Sequence, residues 1–146
     1  MIDLSDRVGQ EIGVGSWMEI TQDRVDAFAE ATDDHQWIHE AGEQAQAGPF
    51  GGPIAHGFLT LSLLTPLTRD VMAPLAAGAV MAINYGLDKV RFITPVRVGA
   101  RIRARVKLAE SKPIENGVQL KTETTIEIDG AERPAAVVES LVRLYG

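Results

Sequence analysis

The chain contains no cysteine, which excludes disulfides and thiolate metal sites and agrees with a reducing, cytoplasmic setting. Positive charge is also scarce: 14 Lys and Arg against 20 Asp and Glu leave a net charge of −6. That balance argues against general nucleic-acid binding, and an anionic ligand would need local basic residues or a helix N-terminus to offset it. No uninterrupted apolar run approaches the roughly 18–20 residues that span a bilayer. The opening Met1-Ile2-Asp3-Leu4-Ser5-Asp6 has neither a basic nor an apolar signal-peptide region. No repeat, low-complexity tract or linker interrupts the chain. Its 146 residues therefore read as one domain, 1–146, long enough to bury a core.

What is present divides into a helical first half and a β-rich second half. Thr21 suits an N-cap for a helix over Gln22–Thr32, and Ile20 with Val25 suits a hydrophobic staple across its start. Val25, Phe28, Ala29 and Thr32 share one face of that helix, with Asp23, Asp26 and Glu30 facing water. A short polar helix is expected from about Glu40 to Ala47, then the breaker-rich Gly48-Pro49-Phe50-Gly51-Gly52-Pro53. The leucines of Ile54–Leu67 fall on every face, which predicts a helix buried on nearly all sides.

Further on, Ile102, Ala104, Val106 and Leu108 alternate with Arg101, Arg103, Arg105 and Lys107, the period of a strand with one dry face. Val118, Leu120, Ile126 and Ile128 alternate likewise with polar residues. Val80 to Val96 and Ala135 to Tyr145 supply further β-rich stretches. Asn116-Gly117 resembles a two-residue hairpin turn, but that register would mix wet and dry faces. The expectation is a three-residue loop with Ile114 opposite Val118 and Arg105 opposite Glu127, or a bulge there. The fold class is thus α+β, a curved antiparallel sheet wrapped around a central buried helix, with edges that dimerisation commonly covers.

The densest reactive cluster is Asp33-Asp34-His35-Gln36-Trp37-Ile38-His39. A carboxylate and an imidazole can divide acid and base duties near neutral pH. Residues five apart on a continuous helix stand about 140° apart around its axis, so Asp34 and His39 converge only if the helix breaks between them.

The motif Asp34-His35-Gln36-Trp37-Ile38-His39, with Gly52-Pro53-Ile54-Ala55-His56-Gly57-Phe58 after it, resembles the signature of the MaoC-like (R)-specific enoyl-CoA hydratases. Their nodulation-protein-N-like subgroup is the nearest match, over about Ile20 to Val142. The resemblance implies a single hot-dog domain in which Asp34 and His39 are the catalytic pair and Gly57 is the oxyanion-hole residue opening the buried helix. It matches Thr65 to a hydroxyl residue near the site in some members. Many members carry Asn-Pro where this chain has Gln36-Trp37, a departure bearing on acyl-chain preference. The implied reaction adds one water, held between Asp34 and His39, across a trans-2-enoyl thioester to give the (R)-3-hydroxy product. The implied partners are an acyl-CoA thioester and a second copy of the chain. No metal and no cofactor is expected beyond the coenzyme A of the substrate.

Plainer readings compete at several positions. His35 and His39 are four apart, but no thiolate or second histidine pair completes a metal site, and His35 reads as a loop side chain. His56 is read as packing support for the oxyanion turn, ahead of a ligand or base. The glycines and prolines at 49–53 form a shaped loop and not a phosphate cradle, since no Gly-Lys-Ser/Thr follows. Trp37 and Phe50 are either core filler or wall of the acyl pocket. The row Arg101, Arg103, Arg105 and Lys107 reads as a solvated sheet face ahead of a coenzyme A phosphate site. Tyr85, Lys89 and Arg91 fall where hot-dog proteins bring the pantetheine tunnel near the dimer interface. Two rival functions are a hot-dog thioesterase, attacking the carbonyl carbon, and a non-catalytic acyl-thioester binding domain.

Overall fold

The computed structural model describes residues 3–146. The helix predicted over Gln22–Thr32 forms with those bounds (α1). Thr21 caps it, its hydroxyl oxygen accepting from the Arg24 amide at 3.2 Å, while Ile20 and Val25 are both fully buried in the core, as a staple requires. Ahead of α1 lie two short strands, Glu11–Val14 (β1) and Met18–Glu19 (β2).

Two helical expectations are corrected. The polar helix after His39 covers only Glu43–Ala47 (α2). The Gly42 backbone before it stands at φ 149°, which leaves Glu40 to Gly42 outside the helix. The single helix expected over Ile54–Leu67 is two, Gly57–Ser62 (α3) and Leu64–Met72 (α4). Pro66 explains the break, because its ring has no N–H to donate and clashes with the carbonyl of Ser62. Nor is this pair buried all round. Leu59, Thr60, Leu63 and Leu67 face the core, while Phe58 stands 70% exposed and Ser62 and Thr65 are exposed beside it.

The remaining strands are Met81–Phe92 (β3), Arg101–Ile114 (β4), Gly117–Ile128 (β5) and Ala136–Tyr145 (β6). Among the described residues, six strands form one antiparallel sheet in the order β1-β4-β5-β6-β3, with β2 beside β1's partner β4. The period-2 reading of β4 holds: Ile102, Ala104, Val106 and Leu108 are fully buried. They join Leu59, Leu63 and Leu67 of the helices and Ile126 and Val138 of the sheet in the core. The opposite face of β4 is a network of ion pairs. Arg103 and Arg105 share Glu127 at 2.7 and 2.8 Å, Arg105 also reaches Glu11 at 2.9 Å, and Arg101 pairs with Asp129.

The β4–β5 turn corrects the predicted register. Ile114 pairs with Gly117, not Val118, so the loop has two residues, Glu115 and Asn116, and Arg105 lies opposite Thr125 instead of Glu127. A register shift at Ala109, between Leu108 and Glu110, restores the parity that keeps both faces pure. The irregularity is real but sits well inside β4, away from the turn. Asn116 takes the left-handed conformation, φ 58°, which asparagine tolerates. Gly117 serves a different need, since a Cβ there would strike the Leu144 carbonyl oxygen of β6. No described helix is long and apolar enough to cross a membrane.

Candidate active site

The site begins where α1 ends. Asp33 adopts the left-handed conformation, φ 58°, and the Asp34 amide closes back onto the Ala29 carbonyl at 3.1 Å, which ends the helix. The chain then makes one 3-10 turn over Trp37–His39. This break lets Asp34 and His39 converge despite their five-residue spacing. The approaching segment Pro53 to Ala55 is held against Val96 to Val98: Ala55 donates to the Val96 carbonyl at 2.8 Å and Val98 to that of Pro53 at 3.0 Å. Ile54 also donates to the Ile38 carbonyl at 2.9 Å. The two halves of the motif are thereby clamped, and α3 starts beside His39.

His39 is 6% exposed, and its Nδ1 lies 2.8 Å from the Ile54 carbonyl oxygen. A carbonyl only accepts, so Nδ1 carries the proton and Nε2 is left with its lone pair. Burial holds the imidazole below its ordinary pKa, assisted by His56 and opposed by the Ile54 hydrogen bond and by Asp34. The ring is thus kept as a base. Asp34 is exposed, and its Oδ1 accepts a long contact from the Gln36 amide at 3.4 Å.

His56 is 2% exposed. Its Nε2 donates to the Asp34 main-chain carbonyl at 3.0 Å, and its ring stacks on His39 with centroids 3.7 Å apart and planes 23° from parallel. Asp34, His39 and His56 each offer a metal-ligating atom, all within 4.8 Å of one another. The stacking does not suit a metal, because the in-plane lone pairs of two face-to-face rings cannot meet at one ion about 2.0–2.1 Å from each nitrogen. His35 lies apart, half exposed, with Glu30 at 3.6 Å and Asp33 at 3.8 Å.

Gly57 opens α3 directly after His56, where first-turn amides have no acceptor within the helix. It lines a cavity of about 320 Å³ together with His39, Thr60 and Phe92. The structure therefore brings Asp34, His39, His56 and Gly57 together. Other candidates lie elsewhere. Thr65 and Tyr85 line a separate cavity of about 340 Å³ between the helices and the sheet, with Thr122 and Ser140 on its floor. Tyr85 is itself covered by the Arg143 guanidinium, 3.3 Å from the ring centre. Trp37 is partly exposed, its ring over Gly48. Gln36 and Arg91 are exposed and Phe50 is half-buried. The sequence reading missed Phe92 and Thr60. Thr60 was legible in principle, three residues along α3 from Gly57; Phe92 comes from β3, and no local pattern announces it.

An antiparallel sheet cupping a helix, with Asp34 and His39 clustered around the residue that caps that helix's start, is the arrangement of a hot-dog protein with a candidate acid–base site. The chain belongs to the MaoC-like family: residues 3–131 match the MaoC like domain. It is 49% identical over 142 residues to 3-hydroxyacyl-thioester dehydratase Z of Mycobacterium tuberculosis, covering 97% of this chain and 93% of that one. It is 45% identical over 137 residues to nodulation protein N of Rhizobium leguminosarum bv. viciae, 92% of this chain and 84% of the relative. Among solved structures, a monoamine oxidase regulatory protein from Archaeoglobus superposes with a TM-score of 0.79 at 25% identity, covering 94% of this chain and 90% of that one.

Proposed function

We propose that the protein is an (R)-specific enoyl-CoA hydratase, equally a 3-hydroxyacyl-CoA dehydratase in reverse. The observation that carries the reading is the clustering of Asp34 and His39, with ligating atoms within 4.8 Å, around His56 at the start of α3, while the Nδ1 proton of His39 is committed to the Ile54 carbonyl and Nε2 keeps its lone pair. The thioester oxygen accepts from the Gly57 N–H, which draws electron density from C3. A water bridging Asp34 and His39 gives a proton to His39 Nε2 as its oxygen bonds to C3. The resulting imidazolium, steadied by the Asp34 carboxylate, returns that proton to C2. No cofactor enters beyond the coenzyme A of the substrate, and family membership supports the (R) configuration.

A homodimer in the cytoplasm belongs to the same reading. β3 is an edge strand that exposes Met81, Ile83, Tyr85, Leu87 and Phe92, more apolar surface than an unprotected edge ordinarily carries.

Crotonyl-CoA separates the alternatives. A hydratase removes the enoyl absorbance and yields (R)-3-hydroxybutyryl-CoA by chiral chromatography. A thioesterase instead releases free coenzyme A thiol, and a binding domain leaves the substrate unchanged. Either of the last two results refutes the proposal.

A further inference from the structure

We propose that His56 is the positioning residue of the acid–base pair, its ring face fixing the His39 imidazole and its Nε2–H fixing the backbone of Asp34. The inference rests on the hydratase reading for its meaning in catalysis, but its geometry is testable separately.

His56 touches each part of the site by a different means. Its Nε2 donates to the Asp34 carbonyl at 3.0 Å, across 22 residues of sequence. Its face lies on His39 at 3.7 Å between centroids. Its own backbone is the N-cap of α3, one residue before Gly57. Phe28 of α1 also packs on the ring, with centroids 4.9 Å apart and planes tilted by 55°, so the imidazole touches both the helix that delivers Asp34 and the residue that would carry the proton.

A buried cost marks the same residue. Nδ1 of His56 is the buried side-chain polar atom without a hydrogen-bond partner among the described residues, and such orphans are rare in native proteins because burial removes the water that would satisfy them. A residue selected for stability alone would avoid that loss. No other side chain meets both demands, however. Phenylalanine has the face without the donor, glutamine has the donor without the face, and tyrosine and tryptophan are too large. The unpaired Nδ1 is the consequence of needing both.

The surroundings of His39 make the effect readable. The titratable groups facing it are Asp34 and His56. Ile38 and Ile54 flank it as apolar neighbours, α3 and β3 bring Gly57, Thr60 and Phe92, and Gln22 of α1 reaches only its main-chain carbonyl, at 2.9 Å.

The test compares His56→Phe with His56→Gln, using crotonyl-CoA hydration and long-range ¹H–¹⁵N NMR of His39. In wild type, His39 is expected as the Nδ1–H tautomer. In both variants kcat is expected to fall about tenfold or more while KM stays within about threefold, the pattern of lost transition-state organisation without lost binding. The NMR then distinguishes them. His56→Phe keeps the His39 tautomer and raises its titration midpoint only slightly, since it removes the lesser effect of the His56 charge and keeps the burial, whereas His56→Gln raises the midpoint further toward the ordinary value as the uncovered ring gains water. A purely structural role would lower the folded fraction without moving the midpoint of the folded form. A folded variant keeping kcat within about twofold of wild type, or an unmoved His39 midpoint in His56→Gln, overturns the proposal. So does a wild-type spectrum showing the Nε2–H tautomer, which requires no variant to fold. Wild-type protein with the expected tautomer and no crotonyl-CoA turnover would instead remove the hydratase reading and leave the geometry standing.

Discussion

Gly57 and Phe92 line one cavity beside His39, and a Cβ added to Gly57 would lie 3.2–3.3 Å from three atoms of the Phe92 ring. The absent side chain at Gly57 therefore leaves room both for Phe92 and for a thioester approaching the amide. Gly57→Ala is expected to push Phe92, which is about half exposed, into the path of the substrate. The expected loss in kcat/KM is roughly tenfold, about 1.4 kcal/mol. Adding Phe92→Leu restores most of it, and steady-state hydration of crotonyl-CoA by the three proteins reads the effect.

Asp34→Asn and His39→Gln each remove one partner of the proposed water while keeping size and polarity. Each is expected to lower kcat by roughly 10²–10⁴-fold. The double variant should be little worse than either single one, because residues that act as a unit are not additive. Fully additive losses would show that they do not share one water.

The acid side of the pH profile follows from His39. Its pKa lies below the ordinary 6.5, with burial the largest cause. The acid limb of kcat/KM is therefore expected to bend below pH 6.5, since the base stays unprotonated until then. Stability has the same sign. The unfolded chain binds the proton more readily, so this residue's contribution is complete above the unfolded value, declines as pH falls below it, and is gone once pH has passed below the folded value. Chemical denaturation as a function of pH should show that decline in wild type and a smaller one in His39→Gln.

The β4–β5 turn makes a prediction about stability alone. Gly117→Ala places a methyl group against the Leu144 carbonyl oxygen and should cost roughly 1–3 kcal/mol. Asn116→Gly, at the residue that holds the positive φ, should be tolerated. Thermal unfolding of the two variants separates a close-approach role for Gly117 from a turn role.

Charge on the exposed strand tests the proposed dimer. Ile83→Glu and Leu87→Glu on β3 should shift sedimentation from dimer to monomer and lower activity with it. A wild-type monomer of full activity would show that the site is complete in one chain.

Much of this molecule could be read before its coordinates. The bounds of α1 were legible because capping and stapling are local, and the dry face of β4 because its alternation is unbroken. The turn was misplaced for a physical reason. Parity correctly demanded an irregularity between β4 and β5, but parity does not say where along a strand the extra residue sits, and Ala109 carries no signal. Pro66 is the local signal for the break between α3 and α4, and a reading based on the leucines alone passes over it. At the site, the paired motif gave Asp34, His39 and Gly57. Contacts that depend on folding did not show: Phe92 arrives from β3, and His56 reaches a main-chain carbonyl, which no residue type advertises.

The most direct measurement is a crystal structure of His39→Gln with crotonyl-CoA bound and unreacted. The account predicts the thioester oxygen within hydrogen-bonding distance of the Gly57 amide, C3 directed toward Asp34, and an ordered water between C3 and that carboxylate. A thioester whose oxygen contacts some other group, with C3 turned away from Asp34, would contradict it.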